Sequence, residues 1–262
     1  MFRARIWASI VLGSLLVLPA YSKKAPVISQ TELAQITERG RLLYAYDQAA
    51  WHATDAVQAT NPQKEEVDHF IAHQTDKGWE VAFGHLNEAR DAFLVAYLAT
   101  QGKTLQEFSV EHLVPPKQDT GFYLVAAKAI DLALRDFHGE KRPYNVAVLP
   151  ASTGQLYVYV LPAQTENGKY PLGGDARYSI SSDGNTIVEN RRLHNDILIF
   201  DTRSTNGSKP QAGWHTHVLT DAPEDTDVFY VLTRRPSIPE YIGTKDKTIY
   251  VVKEDGTILI GK

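Results

Sequence analysis

The sequence of 262 residues contains no cysteine and only one methionine. The absence of cysteine excludes disulfide bonds, thiol nucleophiles and zinc–thiolate sites. Metal ligands in this chain must therefore be histidine or carboxylate side chains. The fold has to be stabilised by its hydrophobic core, without covalent cross-links.

Several familiar enzyme motifs are absent as well. The sequence has no Gly-rich phosphate loop, no dinucleotide fingerprint, no His-Glu-x-x-His helix and no Gly-x-Ser-x-Gly elbow. The pair Gly173-Gly174 does not satisfy either glycine motif. The sequence therefore gives no motif that supports three common classes: nucleotide-binding enzymes, His-Glu-x-x-His zinc proteases, and serine hydrolases of the elbow type.

Basic patches and long apolar runs are missing after residue 22. Without Arg3 and Arg5, the 27 basic and 31 acidic residues become 25 and 31, a net charge of −6. No cluster of basic residues is interleaved with aromatics, so nucleic acid is not an expected partner. No later segment is apolar for the about 20 residues that a membrane-spanning helix needs. The expected partner is an unknown peptide or protein.

The first 22 residues have the composition of a secretory signal peptide. Arg3 and Arg5 precede an apolar run over residues 6–18, and Ala20-Tyr21-Ser22 places small residues at the two positions that signal peptidase reads. The run is short for a retained membrane helix, which favours cleavage after Ser22. The sequence therefore predicts a periplasmic or secreted protein.

Residues 23–118 are predicted to form a small α+β region of unknown role. Ser29 and Glu32 have capping-box spacing, which indicates a helix that begins near Ser29. Residues 64–73 suggest a second helix, residues 78–86 and 92–100 a β-hairpin, and residues 114–119 a linker. The histidines of this half have no ligand spacing and are interpreted as structural or solvated: His52, His69, His73, His85 and His112.

Residues 119–262 are predicted to form a mainly β domain with one leading helix. Asp119 or Thr120 can cap a helix that runs through Phe137. Most of the chain after this helix has the pattern of strands, with tight turns at Asp-Gly pairs. The predicted strands include residues 145–149, 155–161, 176–181, 186–190, 195–200, 228–232, 240–243, 248–252 and 257–260. The predicted fold class is α+β.

One stretch combines two histidines with an acidic turn. His215 and His217 are two positions apart in a predicted strand over residues 212–219, so both side chains project from the same face. A carboxylate from the turn at residues 221–227 would give three ligands and leave a tetrahedral zinc ion one open position. Water bound at such a position becomes acidic enough to attack a carbonyl group.

The sequence leaves alternatives at this stretch. The third ligand is not unique, because the acidic turn contains Asp221, Asp225 and Asp227. His194 is a candidate fourth ligand, and a site closed by four protein ligands would be structural rather than catalytic. Two half-buried or solvated strand histidines without a metal ion are the simplest alternative.

Two motifs lie one after the other in the C-terminal half. The first is His215-Thr216-His217 with Pro223-Glu224-Asp225-Thr226-Asp227 after it, and the second is residues 238–250, IPEYIGTKDKTIY. Together they resemble the JAMM (JAB/MPN) metallopeptidase superfamily, in particular the JAB-like domains at the ends of bacterial polymorphic toxins. The resemblance covers residues 119–262. It implies a JAB-like fold, zinc held by His215, His217 and Asp227, and peptidase or amidase activity.

The sequence departs from that family at two catalytic positions. Glu224 stands where the family has a serine that supports the tetrahedral intermediate. The family's catalytic glutamate falls at residues 142–145, which read RPYN here, and Glu140 is the nearest carboxylate. Because hydrolysis needs a general base near the zinc-bound water, Glu140 and Glu224 are the candidate catalytic residues. Glu189 is interpreted as a surface carboxylate.

This pattern supports three hypotheses about function. The retained His, His and Asp favour an exported zinc-dependent peptidase or amidase. The replaced glutamate and serine favour a catalytically inactive JAB-like binding or structural module of the cell envelope. A purely structural envelope protein without a metal ion is the third. A carboxylate on the open side of the two histidines would discriminate between the first two.

Overall fold

The computed structural model describes residues 28–151, 153–203 and 210–261. In these ranges the chain forms three α-helices and fourteen strands, arranged in four sheets. This confirms the predicted α+β class with a mainly β body after an N-terminal helix. The predicted signal peptide, residues 1–22, lies outside the described residues.

The N-terminal half is one long helix and an antiparallel meander. It comprises α1 (Gln30–Gln58), a 3₁₀ turn (Lys64–Glu66), β1 (His69–Thr75), β2 (Gly78–Leu86), β3 (Phe93–Gln101) and β4 (Phe108–Asp119). The four strands pair in the order β1-β2-β3-β4. The predicted hairpin is therefore confirmed as β2 and β3. The capping box is also present, since Ser29 Oγ accepts the Glu32 amide and the Glu32 carboxylate accepts the Ser29 amide.

The C-terminal half contains two helices and three smaller sheets. Its elements are α2 (Phe122–Asp136), β5 (Tyr144–Pro150), β6 (Leu156–Pro162), β7 (Lys169–Gly173), β8 (Ala176–Ile180), β9 (Ile187–Arg192), β10 (Ile197–Asp201), β11 (Gly213–Thr216), α3 (Asp225–Thr233), β12 (Glu240–Gly243), β13 (Ile249–Val252) and β14 (Ile258–Ile260). The sheets are β5-β6-β8-β9, β7-β10 and β11-β12-β13-β14. Strands β11 and β12 run parallel, and the other pairs are antiparallel.

Three sequence-based assignments were wrong, each for a tertiary reason. The helix expected over residues 64–73 is the 3₁₀ turn and β1, which pairs with β2 along its whole length. The expected linker belongs to β4, an edge strand, where prolines cost no ladder hydrogen bond. The apolar run 228–232, expected as a strand, lies in α3. There the Asp227 side chain accepts the Glu224 amide at the helix start.

The buried clusters mix residues from both sides of position 118. In one cluster, Leu43 and Trp79 pack with Tyr159. In another, Phe93 packs with Ala126 of α2 and with residues of the β5-β6-β8-β9 sheet. The predicted division into residues 23–118 and 119–262 therefore has hydrophobic core shared across its boundary. Among the described residues, no helix is long and apolar enough to cross a membrane.

Helices α1 and α3 cross at Gly40, and this contact gives a first prediction. A Cβ atom at Gly40 would lie 2.4 Å from Val228 Cβ and 2.6 Å from the Asp225 carbonyl oxygen. Gly40→Ala should therefore lower the free energy of unfolding by about 1–3 kcal/mol through overpacking, although alanine normally stabilises a helix. Urea unfolding measures this, with the exposed Glu38→Ala as the control. An equal or higher stability of Gly40→Ala would contradict the crossing.

Candidate metal centre

Four buried side chains converge in the C-terminal half. His194, His215, His217 and Asp227 each offer one ligand atom, and these atoms lie within 4.8 Å of one another. The residues are 8, 5, 3 and 0 % exposed, respectively. The structure thus brings together the three predicted ligands, and it adds His194 as a fourth. The alternative of solvated strand histidines does not agree with this burial.

The four ligands come from three separate parts of the fold. His194 lies just after β9, and His215 lies in β11. His217 comes directly after β11, and its amide donates to the Gly243 carbonyl at 2.8 Å, which continues the parallel pairing of β11 and β12. Asp227 is in the first turn of α3. A metal ion held here would tie a sheet edge, a second sheet and a helix together.

The distances between ligand atoms fit a tetrahedral ion. His217 Nε2 lies 3.0 Å from His194 Nε2 and 3.1 Å from His215 Nε2. Asp227 Oδ1 lies 3.1 Å from both His194 Nε2 and His215 Nε2, and Oδ2 lies 3.2 Å from His217 Nε2. Zinc–nitrogen bonds of about 2.0–2.1 Å place neighbouring tetrahedral ligand atoms about 3.3 Å apart. Five of the six residue pairs in the cluster are therefore nearly as far apart as the ligands of a tetrahedral zinc ion, and all ligand atoms lie within 4.8 Å of one another.

The second ring nitrogen of each histidine has an oxygen acceptor. Nδ1 of His194 lies 2.8 Å from Asp175 Oδ1, Nδ1 of His215 lies 2.9 Å from Glu240 Oε1, and Nδ1 of His217 lies 2.7 Å from the Ala222 carbonyl oxygen. Donation from Nδ1 leaves the Nε2 lone pair of a neutral imidazole free for a cation. Three such lone pairs that meet in a buried place need a positive charge between them.

The charges around the cluster favour a cation as well. Burial would raise the pKa of Asp227, but attraction to His217 and His194 and its hydrogen bonds hold this pKa well below the ordinary value. Burial lowers the pKa of His215, yet Asp227 and Glu240 outweigh it and raise this pKa to about 9. Asp227 is therefore ionised, and the histidines lie in a field that attracts a proton or a metal ion.

A third layer of contacts fixes Glu240 against His215. Arg234 is fully buried and donates from Nη1 to Glu240 Oε2 at 2.6 Å. Its guanidinium also donates to the Ile238 carbonyl and lies over the Tyr230 ring. A Cβ atom at Gly213 would lie 1.9 Å from Glu240 Oε2. The glycine two residues before His215 is therefore required for this carboxylate to reach the imidazole.

The structure separates the three aspartates of the acidic turn. Asp227 is the only one of them in the cluster, as the resemblance implies. Asp225 is buried against Arg39 and Arg177 and accepts the Tyr159 hydroxyl at 2.7 Å. Asp221 is exposed. The third ligand, which the spacing left open, is therefore decided by the geometry of α3.

The candidate catalytic carboxylates occupy different environments. Glu224 is buried at the start of α3, where Arg191 donates to its Oε1 at 2.7 Å and burial raises its pKa. Glu140 is exposed in the loop between α2 and β5, and no contact described for it reaches the histidines. Glu189 is exposed on β9, as expected. Of these three glutamates, only Glu224 is close in sequence to a ligand, three residues before Asp227.

Sequence reasoning missed Asp175 and Glu240, which orient two of the ligands. Asp175 comes after Gly173 and Gly174, whose φ angles of 86° and 64° form a sharp turn between β7 and β8. This glycine pair was the available signal, although it satisfies neither the phosphate-loop motif nor the dinucleotide fingerprint. Glu240 lies within the second family-like motif, 25 residues after its partner His215.

No family model, curated protein or solved structure matches this chain. The resemblance to the JAMM superfamily therefore remains a prediction. The metal cluster is supported by the geometry of its four residues.

Proposed function

We propose that this protein binds one zinc ion in a closed site of three histidines and one aspartate, and that it is a metal-stabilised module without hydrolytic activity. The observation that carries the proposal is His194. With it, protein ligands fill all four tetrahedral positions, whereas a catalytic zinc site keeps one for water. The burial of all four residues supports a structural role.

The donor set favours zinc over other common ions. Three imidazole nitrogens and one carboxylate oxygen at tetrahedral spacing suit zinc. Magnesium and calcium prefer sites with six or more oxygen ligands. When bound, the zinc would supply binding free energy to the folded state alone, since the unfolded chain has no preformed site. The first 22 residues favour export, so we place this module in the periplasm or outside the cell.

A zinc-dependent peptidase or amidase is the second candidate. It is supported by Glu224, a buried carboxylate beside the ligand Asp227 with a raised pKa, and by the order of the family-like motifs. In this alternative His215, His217 and Asp227 would hold the zinc, a water molecule would take the fourth position in place of His194, and Glu224 would be the general base.

His194→Ala distinguishes the two candidates. For the closed site we expect about one zinc per chain in untagged wild-type protein, no peptide hydrolysis, and a zinc affinity at least about tenfold weaker in His194→Ala. Inductively coupled plasma mass spectrometry and competition with a chromogenic chelator measure this. The exposed His138→Ala is the matched control.

Two results would overturn the closed site. Zinc affinity that His194→Ala leaves unchanged would show that His194 is not a ligand and that one position is open. Wild-type hydrolysis of a peptide mixture that disappears in Glu224→Gln, with zinc retained, would establish the enzyme instead.

A further inference from the structure

A cleft of about 970 Å³ lies apart from the metal cluster, between α1, the strands β5–β7 and α3. None of the four metal ligands lines it. Its size falls at the upper end of the range of ordinary small-molecule sites. The middle of α1 forms one wall, and the loop at residues 164–167 forms part of the opposite wall. The cleft therefore joins the N-terminal half, to which sequence analysis assigned no role, with the C-terminal half.

Asp47 places a carboxylate in this cleft without a basic partner. Its one described hydrogen bond is a weak one from the neighbouring Gln48 amide, at 3.3 Å. In the described residues no lysine or arginine forms an ion pair with it. Burial raises the pKa of Asp47 to about 6. A carboxylate kept in such a place costs stability, which is common at binding sites.

The other charged groups of the cleft are already engaged. Arg235 donates to the Leu232 carbonyl at 2.6 Å and to the Tyr44 hydroxyl at 3.1 Å. Glu166 is paired with Lys169 and with Arg203 at the surface. Among the described residues of the lining, Asp47 is thus the one carboxylate without a basic partner, and Arg235 is a cation whose donors are directed to neutral oxygens.

Aromatic side chains line the same cleft as this carboxylate. Trp51 lies one helical turn after Asp47, on the same face of α1, and it is 57 % exposed. Together with it, the lining includes Tyr46, Phe70, Tyr170, Phe229 and Tyr230. The faces of aromatic rings attract organic cations, and the half-buried carboxylate of Asp47 adds a negative charge. Apolar rings around one unpaired anion are complementary to a cation that carries an apolar body.

We propose that this cleft binds a small organic cation, with an ammonium or quaternary ammonium head against Asp47 and an apolar body along Trp51 and the neighbouring rings. The cleft and the metal cluster share no residue, although α3 contributes side chains to both.

Calorimetric titration of the full-length, metal-loaded protein tests the charge requirement. Choline and benzyltrimethylammonium are the cationic probes, and 3,3-dimethylbutan-1-ol is the neutral analogue of choline. We expect saturable binding of benzyltrimethylammonium, tighter than that of choline, and binding of the neutral alcohol at least about tenfold weaker than that of choline. Phenylacetate, of similar size and opposite charge, should not bind.

Variants on one helix test the residues. Asp47→Asn should weaken cation binding at least about tenfold, whereas Asp55→Asn, an exposed aspartate two turns later on α1, should leave it within about twofold. Trp51→Ala should weaken benzyltrimethylammonium binding and remove most of the tryptophan fluorescence change on titration.

Thermal unfolding is the control that tests whether weaker binding by Asp47→Asn is due to misfolding. The pKa of Asp47 is raised from 3.8 to about 6 in the folded chain. The folded state therefore holds this proton more tightly, and stability is lost as pH rises through that interval. Asp47→Asn should raise the melting temperature at pH 8 and not at pH 3.5. The other ionisable groups of the lining, Glu166, Arg235 and the tyrosines, are unchanged in this comparison.

Three outcomes would overturn the proposal. The first is no saturable binding of either cation up to about 10 mM. The second is equal affinity for choline and its neutral analogue. The third is unchanged cation binding by Asp47→Asn.

Discussion

His215→Ala is expected to lose the bound zinc and to lower the melting temperature of the metal-loaded protein by about 10 °C. Zinc at about a thousand times its dissociation constant stabilises the fold by about 4 kcal/mol, and about 2–4 °C correspond to 1 kcal/mol in a chain of this size. His215 offers Nε2 as a ligand atom, and its Nδ1 lies 2.9 Å from Glu240 Oε1. Differential scanning calorimetry, combined with metal analysis, measures both effects.

A chelator separates the metal's contribution from that of the side chain. Removal of zinc should lower the melting temperature of the wild type and leave that of His215→Ala unchanged. The sequence alone suggested a half-exposed strand histidine whose loss matters little without metal. Because His215 is 5 % exposed, we now expect the metal-free variant to be destabilised as well. If His215→Ala left the zinc content unchanged, the proposed metal site would be wrong.

Arg234→Met is expected to lower the free energy of unfolding by about 3–5 kcal/mol, because it leaves Glu240 as a buried charge without its partner. Zinc affinity should also fall about 10–100-fold, since Glu240 orients the His215 ring. Urea unfolding and chelator competition measure the two effects. Arg235→Met is a matched control, since Arg235 is exposed and donates to carbonyl groups.

A second substitution tests the cause of this effect. Glu240→Gln removes the charge that Arg234→Met would leave unpaired. The double variant should therefore be more stable than Arg234→Met alone. Additive losses in the cycle would mean that Arg234 acts through its packing on Tyr230 and not through the carboxylate.

The features predicted correctly are those with local causes. The capping box at Ser29, the apolar spacing of α2 and the alternation in β2 and β3 act within a few residues. The ligands His215, His217 and Asp227 were likewise found within one short stretch. Local signals were enough for the fold class and for three of the four ligands.

The missed features depend on contacts between distant residues. The run at 228–232 is apolar and β-branched enough for a strand, but α1 packs on it as a helix at Gly40. Asp175 becomes significant only because the start of β8 pairs with the end of β9, which brings Asp175 next to His194. Residues that contact each other from distant parts of the sequence follow no repeating pattern, so a single sequence does not reveal them.

The ion pair between Arg39 and Asp225 joins residues that are 186 positions apart. During synthesis, α1 is made well before α3, the helix that covers Gly40. The face of α1 around Gly40 therefore stays uncovered, or is shielded by another protein, until α3 has been made, whereas the part around Leu43 can pack earlier on the sheet β1-β2-β3-β4. Contacts of such long range make folding slow. Zinc uptake, which needs α3 in place, would then mark the end of folding and not its beginning.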